Sequence, residues 1–111
     1  MYIKGGVTMS ILTVTQENFE TEILQSTKPV LLDFWAPWCA PCRMIAPVVE
    51  QIADEISAIK VGKVNVDDCP ELAARYGVMT IPTLIVMKDG AVTHQTAGFK
   101  SKPAIIEMLA G

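Results

Sequence analysis

The stretch of this chain best equipped for chemistry is residues 34–42, "FWAPWCAPC", in which Cys39 and Cys42 stand two residues apart. Trp38 precedes the pair and Pro41 lies inside it. Cysteines so spaced serve as half of a metal clamp, as a permanent staple, or as a dithiol whose opening and closing is the function. A structural zinc site takes four ligands, usually from two such pairs, and here only the distant Cys69 and His94 remain. No metal site is therefore expected. Haem attachment needs a histidine directly after the second cysteine, where this chain has Arg43. An inert staple is the bland alternative, and a reducing compartment would argue against it. Three cysteines is also an odd count, which excludes a full disulfide framework.

Placement sharpens the redox reading. The apolar run "VLLDFW" (30–35) suits a strand covered on both faces. Over residues 40–58, Ile45, Val48, Val49, Ile52 and Ile56 recur at helical steps. Cys39 then falls at a helix N-terminus, where unsatisfied N–H groups and the positive dipole end stabilise a thiolate. The thiolate is the nucleophile of thiol exchange, so Cys39 is expected to attack. Cys42, one turn inside and more enclosed, is expected to resolve the mixed disulfide and leave Cys39–Cys42 oxidised. Pro41 stiffens the gap at a position where a missing N–H costs nothing.

Asp33 is the anomaly of its strand. It shares a face with Leu31 and Trp35, where a bare carboxylate is costly and its pKa should rise. That would let it take or return a proton near neutral pH, with Cys42 as partner directly or through one water. Lys63, in the neighbouring strand, could pair with Asp33 and moderate the shift.

The elements around these residues are legible. Thr15 can cap a helix over "QENFETEILQ" (16–25), with Phe19, Ile23 and Leu24 on one face. Pro47 should kink the long helix by removing a backbone donor. "KVGKVNV" (60–66) makes the next strand, and strand, helix, strand implies a right-handed parallel βαβ unit. Asp67 and Asp68 read as a solvated turn and the cap of a short helix around residues 70–76, with Cys69 as the other capping candidate. "TLIVM" (83–87) and "AVTHQTA" (91–97) form a hairpin turning at Asp89-Gly90. Ser101 caps a last helix with Pro103 in its first turn and Ile105, Ile106 and Leu109 facing inward. The sum is an α/β protein, a mixed sheet with helices on both faces. Residue preference at Ile81-Pro82 favours a trans bond. Cys69 reads as a covered thiol and His94 as solvent-facing.

The chain has 111 residues, 50% of them hydrophobic and 19% charged, with a formal net charge of −3. That suits one compact globular domain. Its nine basic residues are scattered, so no nucleic acid is expected, and no apolar stretch approaches the ~20 residues of a membrane helix. The opening "MYIKGGVTMS" lacks the apolar run of a secretory signal. Residues 1–9 are expected to be a flexible lead, with Met9 a second candidate start, residues 10–111 the domain, and the location cytoplasmic.

Taken together, "DFWAPWCAPC", the proline five residues beyond it, "KVNVD", "YGVMTIPT", "KDG" and "AGF" resemble the thioredoxin family, in order, from about residue 12 to residue 110. The resemblance implies a thioredoxin fold, a central mixed five-stranded β-sheet flanked by four α-helices. It implies a monomeric protein-disulfide reductase with Cys39 attacking, Cys42 resolving, Asp33 the buried acid and Lys63 its neighbour. It implies Pro82 cis and facing the cysteines, with Ile81 meeting the client. Trp38, Ala40, Pro41, Ile81, Pro82, Ala97 and Gly98 would contact substrate, and Trp35 and Pro47 would be structural. No bound cofactor is implied beyond the redox-active Cys39–Cys42 disulfide. Electrons would come indirectly from NADPH through a flavin-containing thioredoxin reductase. Two departures stand out: Ala40 where most members have Gly, and Thr80 where many have a smaller residue. An oxidase or isomerase is the rival in chemistry, and a non-catalytic binding module the rival in class.

Overall fold

A computed structural model describes residues 11–111. The flexible lead and second start expected over residues 1–9 lie outside the described residues. Five strands, β1 (Ile11–Thr13), β2 (Val30–Trp35), β3 (Lys60–Asn65), β4 (Thr83–Lys88) and β5 (Ala91–Ala97), form one sheet in the order β1-β3-β2-β4-β5. The β1–β3 and β2–β3 pairs are parallel, and β2–β4 and β4–β5 are antiparallel. Helices α1 (Ala40–Glu55), α2 (Pro70–Arg75) and α3 (Lys102–Ala110) connect or follow the strands. A π-helical turn, Glu20–Leu24, is the remaining helical segment.

The strand alternation builds two apolar layers. Leu31, Val61, Leu84 and Val86 meet Ile45, Val49 and Ile52 of α1 and Ile105 of α3 on one face. Val30, Leu32, Phe34, Val64, Ile85 and Met87 meet Phe19, Ile23 and Leu72 on the other. β2 and β4 are apolar on both faces because both are covered, and burying each large side chain contributes ~1.5–3 kcal/mol. Gly62 lets β3 pass beneath this second layer. A Cβ there would stand 2.7 Å from Val14 Cγ2 and 3.2 Å from Leu32 Cδ2.

Several local expectations differ in detail. Thr15 does not cap the helical segment: its Oγ1 accepts from Asn18 N–H while Asn18 Oδ1 accepts from Thr15 N–H, closing a turn, and the capping position is Phe19, with no side-chain hydrogen bond. The turn that follows is wound wider than an α-helix, so the expected ten-residue helix is a short π segment. α1 runs through Pro47 and ends at Glu55, short of residue 58. Asp68 does not cap α2: the capping position is Cys69, with no side-chain hydrogen bond. Ser101 Oγ accepts from Ala104 N–H and caps α3 as expected. Ile106 is a correction, because it faces solvent, while Met108 and Leu109 lean on the core beside Ile105. The hairpin turns through Asp89 (φ 52°) and Gly90 (φ 79°), the paired positive φ values that match strand twist in a two-residue loop.

Candidate active site

The site forms where β2 ends. Cys39 occupies the capping position of α1, and Pro41 sits in its first turn. Cys39 and Cys42 are joined as a disulfide with their Cα atoms 5.2 Å apart. The Cys42 N–H donates to Cys39 Sγ over 3.2 Å, a donor that a thiolate at that sulfur would also accept. Cys39 is 5% exposed and Cys42 3%, so both residues of the disulfide are buried. Both pack with Ala36, and Trp35 lies against this small cluster.

The loop before β4 supplies the opposite wall. Ile81-Pro82 is cis, as the family resemblance implied and as residue preference alone did not. The Ile81 carbonyl oxygen lies 3.7 Å from Cys39 Sγ. The loop is tied down by Thr83 Oγ1, which donates to the Thr80 carbonyl over 2.6 Å, and by Gly98 N–H, which donates to the Pro82 carbonyl over 2.8 Å. Gly98 has φ 89°, a conformation glycine adopts without strain, and Ala97 is paired with Thr83.

Beside the disulfide runs a groove of ≈ 410 Å³ lined by Trp38, Val66, Ala73, Val78, Met79, Thr80 and Ile81. Trp38 is 68% exposed, and its Nε1–H donates to Asp67 Oδ2 over 3.0 Å. Asp67 is therefore more than a solvated turn residue. Val66, Ala73, Val78 and Met79 were missed as site residues in the sequence. The apolar run within "YGVMTIPT", leading into Pro82, was the available signal.

Asp33 is fully buried, and neither carboxylate oxygen has a hydrogen-bond partner. Burial pushes its pKa up from 3.8 to about 6, with the positive charge of Lys63 pulling partly the other way. Asp33 and Lys63 are register partners on adjacent strands, yet the expected contact pair is not made. The Lys63 Nζ instead sits 4.6 Å from the centroid of the Trp35 ring, so it acts on Asp33 at a distance. It borders a cleft of ≈ 360 Å³ that also touches Trp35, Asn65 and Cys69.

Cys69 is buried, 3.8 Å from the Val14 carbonyl oxygen, with its thiol pKa pushed up by burial and then by Asp68. His94 is half-buried, its Nδ1 3.2 Å from Thr93 Oγ1. Among the described residues no group of three or more His, Cys, Asp or Glu is placed to hold a metal ion. No described helix is long and apolar enough to cross a membrane.

A family model for thioredoxin matches residues 10–111. The chain is 54% identical over 98 residues to a thioredoxin of Porphyra purpurea, spanning 87% of this chain and 92% of that one. It is 47% identical over 102 residues to thioredoxin of Bacillus subtilis (strain 168), spanning 91% and 96%. With thioredoxin 1 of Synechococcus elongatus (strain ATCC 33912 / PCC 7942 / FACHB-805) it shares 48% over 97 residues, 86% and 91% of the two chains. A disulfide at a helix N-terminus beside a cis-proline loop, in a chain matched almost end to end, thus places this protein in the thioredoxin family, as a thiol–disulfide oxidoreductase with Cys39–Cys42 as its redox pair.

Proposed function

We propose that the protein reduces disulfides in client proteins, with Cys39 attacking and Cys42 resolving. The reduced Cys39 thiolate displaces one client sulfur and forms a mixed disulfide. Cys42 gives its proton to the Asp33 carboxylate and attacks Cys39 Sγ. The client's second thiolate leaves, two electrons have passed to the client, and Cys39–Cys42 is again a disulfide. Asp33 suits this role because a pKa of about 6 leaves it largely ionised, yet readily protonated, near neutral pH. Lys63 keeps that pKa from rising further.

Clients dock on Trp38, Ala40, Pro41, Ile81, Pro82, Ala97 and Gly98, with the Ile81 backbone alongside the client strand. Trp35 supports the pair from below, and Pro47 is a structural residue of α1. The reduced state is regenerated by a flavin-containing, NADPH-dependent thioredoxin reductase. The protein works as a monomer in the cytoplasm, in a domain spanning residues 10–111, and binds neither nucleic acid nor membrane.

The observation carrying this reading is the asymmetry of the pair. Cys39 caps the helix with its Sγ 3.7 Å from the Ile81 carbonyl, whereas Cys42 lies inside the first turn. Cys42→Ser tests it. Incubated with a disulfide-bonded client peptide, the pre-reduced variant should accumulate a Cys39-linked adduct visible by mass, and Cys39→Ser should form none. Adducts on Cys42 in Cys39→Ser, or turnover without adduct in Cys42→Ser, would reverse the assignment.

A further inference from the structure

We infer that Met79 is a peroxide-sensitive modification site, whose oxidation to the sulfoxide makes one wall of the groove beside the disulfide polar and weakens client capture. The inference rests on the docking role proposed above for Trp38 and Ile81, which border the same groove. Met79 is 91% exposed, the most open large apolar side chain among the described residues. It lies between α2 and β4, two residues before Ile81, and shares the groove wall with Val66 and Val78. The backbone on either side is tied down. Val78 N–H donates to the Ala73 carbonyl over 2.9 Å, and the Thr80 carbonyl accepts from Thr83 Oγ1 over 2.6 Å. The side chain is thus held at the groove while its sulfur stays open to solvent.

A thioether needs no deprotonation to react. A sulfur lone pair attacks one oxygen of hydrogen peroxide, the O–O bond breaks and an S–O bond forms. Sulfur gives up two electrons and the peroxide is reduced to water, with no net proton taken up or released. Access decides which methionine reacts. Met44 is 64% exposed on α1 but does not line the groove, Met87 is buried in β4, and Met108 leans on the core. With Cys39–Cys42 closed, no active-site thiolate competes for the oxidant, and Cys69 is buried. The sulfoxide places a strong hydrogen-bond acceptor among Trp38, Val66, Ala73, Val78 and Ile81. An apolar client side chain seated there must strip water from that oxygen without replacing its hydrogen bonds. Met79 is not one of the side chains packed on the Cys39–Cys42 pair, so the sulfur exchange itself should be unaffected. A sulfoxide reductase restores the thioether.

Hydrogen peroxide itself is the probe. The full-length chain with Cys39–Cys42 closed is treated with it, the excess is destroyed with catalase, and a digest is mapped by mass for methionines carrying one added oxygen. The disulfide is then opened with a dithiol, which leaves a sulfoxide intact, and the dithiol is removed. The reduced protein is mixed with excess disulfide-bonded peptide bearing an apolar residue beside one cysteine, or glycine in its place. The reaction is acid-quenched and reduced peptide is counted by chromatography, giving a limiting rate and a half-saturating concentration. Met79→Leu removes the oxidisable sulfur, and Met79→Gln makes the position polar without any oxidant.

Met79 should be oxidised ahead of Met44 and at least about tenfold faster than Met87. The half-saturating concentration for the apolar peptide should then rise about three- to tenfold at an unchanged limiting rate. Met79→Gln should show the same rise without peroxide. Met79→Leu, whatever its own half-saturating concentration, should not change on peroxide treatment, and the glycine peptide should show no rise. Met79 reacting no faster than Met87 would overturn the modification site. An unchanged half-saturating concentration in the sulfoxide-bearing protein, or in Met79→Gln, would overturn its effect on capture. Equal impairment of Met79→Leu and the parent by peroxide would do the same, as would a lowered limiting rate or an equal rise for the glycine peptide. Any of these beside a raised half-saturating concentration in Trp38→Ala would leave the docking role standing. No effect of Trp38→Ala would sink that role and this inference with it.

Discussion

The buried Asp33 makes the stability of the oxidised protein depend on pH in a direction opposite to the usual carboxylate. Its carboxyl is inaccessible and its oxygens unpartnered, and its folded-state pKa is about 6 against 3.8 for the free group. Between those two values the unfolded chain has already lost the proton while the folded chain still binds it. Stability must therefore fall as pH rises from about 4 to about 6, and then level off. At about 1.4 kcal/mol per pH unit, a shift of roughly two units amounts to ~3 kcal/mol. Asp33→Asn is neutral at every pH and removes this dependence. Its stability relative to the parent should improve by ~2 kcal/mol on going from pH 4.5 to pH 8, the part of the total that lies above pH 4.5, whatever the fixed cost of burying the amide. Urea unfolding of the disulfide-bonded forms at several pH values, followed by circular dichroism, reads the difference directly. Parallel stability profiles for the two proteins across this range would refute the reasoning. The same substitution should slow the Cys42 step, because the proton loses its acceptor.

Other consequences are as direct. Gly62→Ala should cost ~1–3 kcal/mol of stability, seen as a lower urea midpoint, because the added Cβ meets Val14 Cγ2 at 2.7 Å; an unchanged midpoint would show that Val14 yields freely. Cys69, buried and with its thiol pKa raised, should react with iodoacetamide at pH 8 at least about tenfold more slowly in the folded oxidised protein than in urea. Labelling at equal rates would mean that the turn beneath Val14 opens readily. The Cys42→Ser adduct completes the set.

Much of the molecule was legible because the information is local. β2 was read at its observed limits, Val30–Trp35, since a short apolar run after Pro29 has little else to become. Cys39 at the start of a helix followed from the junction of that strand with a three- and four-residue apolar period, and the capping geometry agrees. The hairpin and the Ser101 cap rest on turn and cap chemistry contained within a few residues. The weaker readings were those in which competing solutions are close in energy. The segment after Thr15 has an apolar face but opens with a turn closed by Thr15 and Asn18 and winds as an uncapped π turn, and Ile106 lies at the margin of a face already filled by Ile105, Met108 and Leu109.

By itself, then, the order of residues determined the dithiol, the helix end that carries it, the buried acid on the adjoining strand, and, through its motifs, the family. The rest was decided by tertiary structure, because it depends on groups brought together across crossovers. Register alone would set Lys63 against Asp33, but the flexible lysine stem finds the face of Trp35 instead, leaving the carboxylate unpaired and its pKa high. Trp38 and Asp67 are separated by 29 positions and meet only because α1 returns the chain to β3 beside β2, putting the turn after β3 next to the cysteine loop. Side chains with several rotamers choose among partners that only the folded sheet presents, and no pattern along the chain encodes that choice.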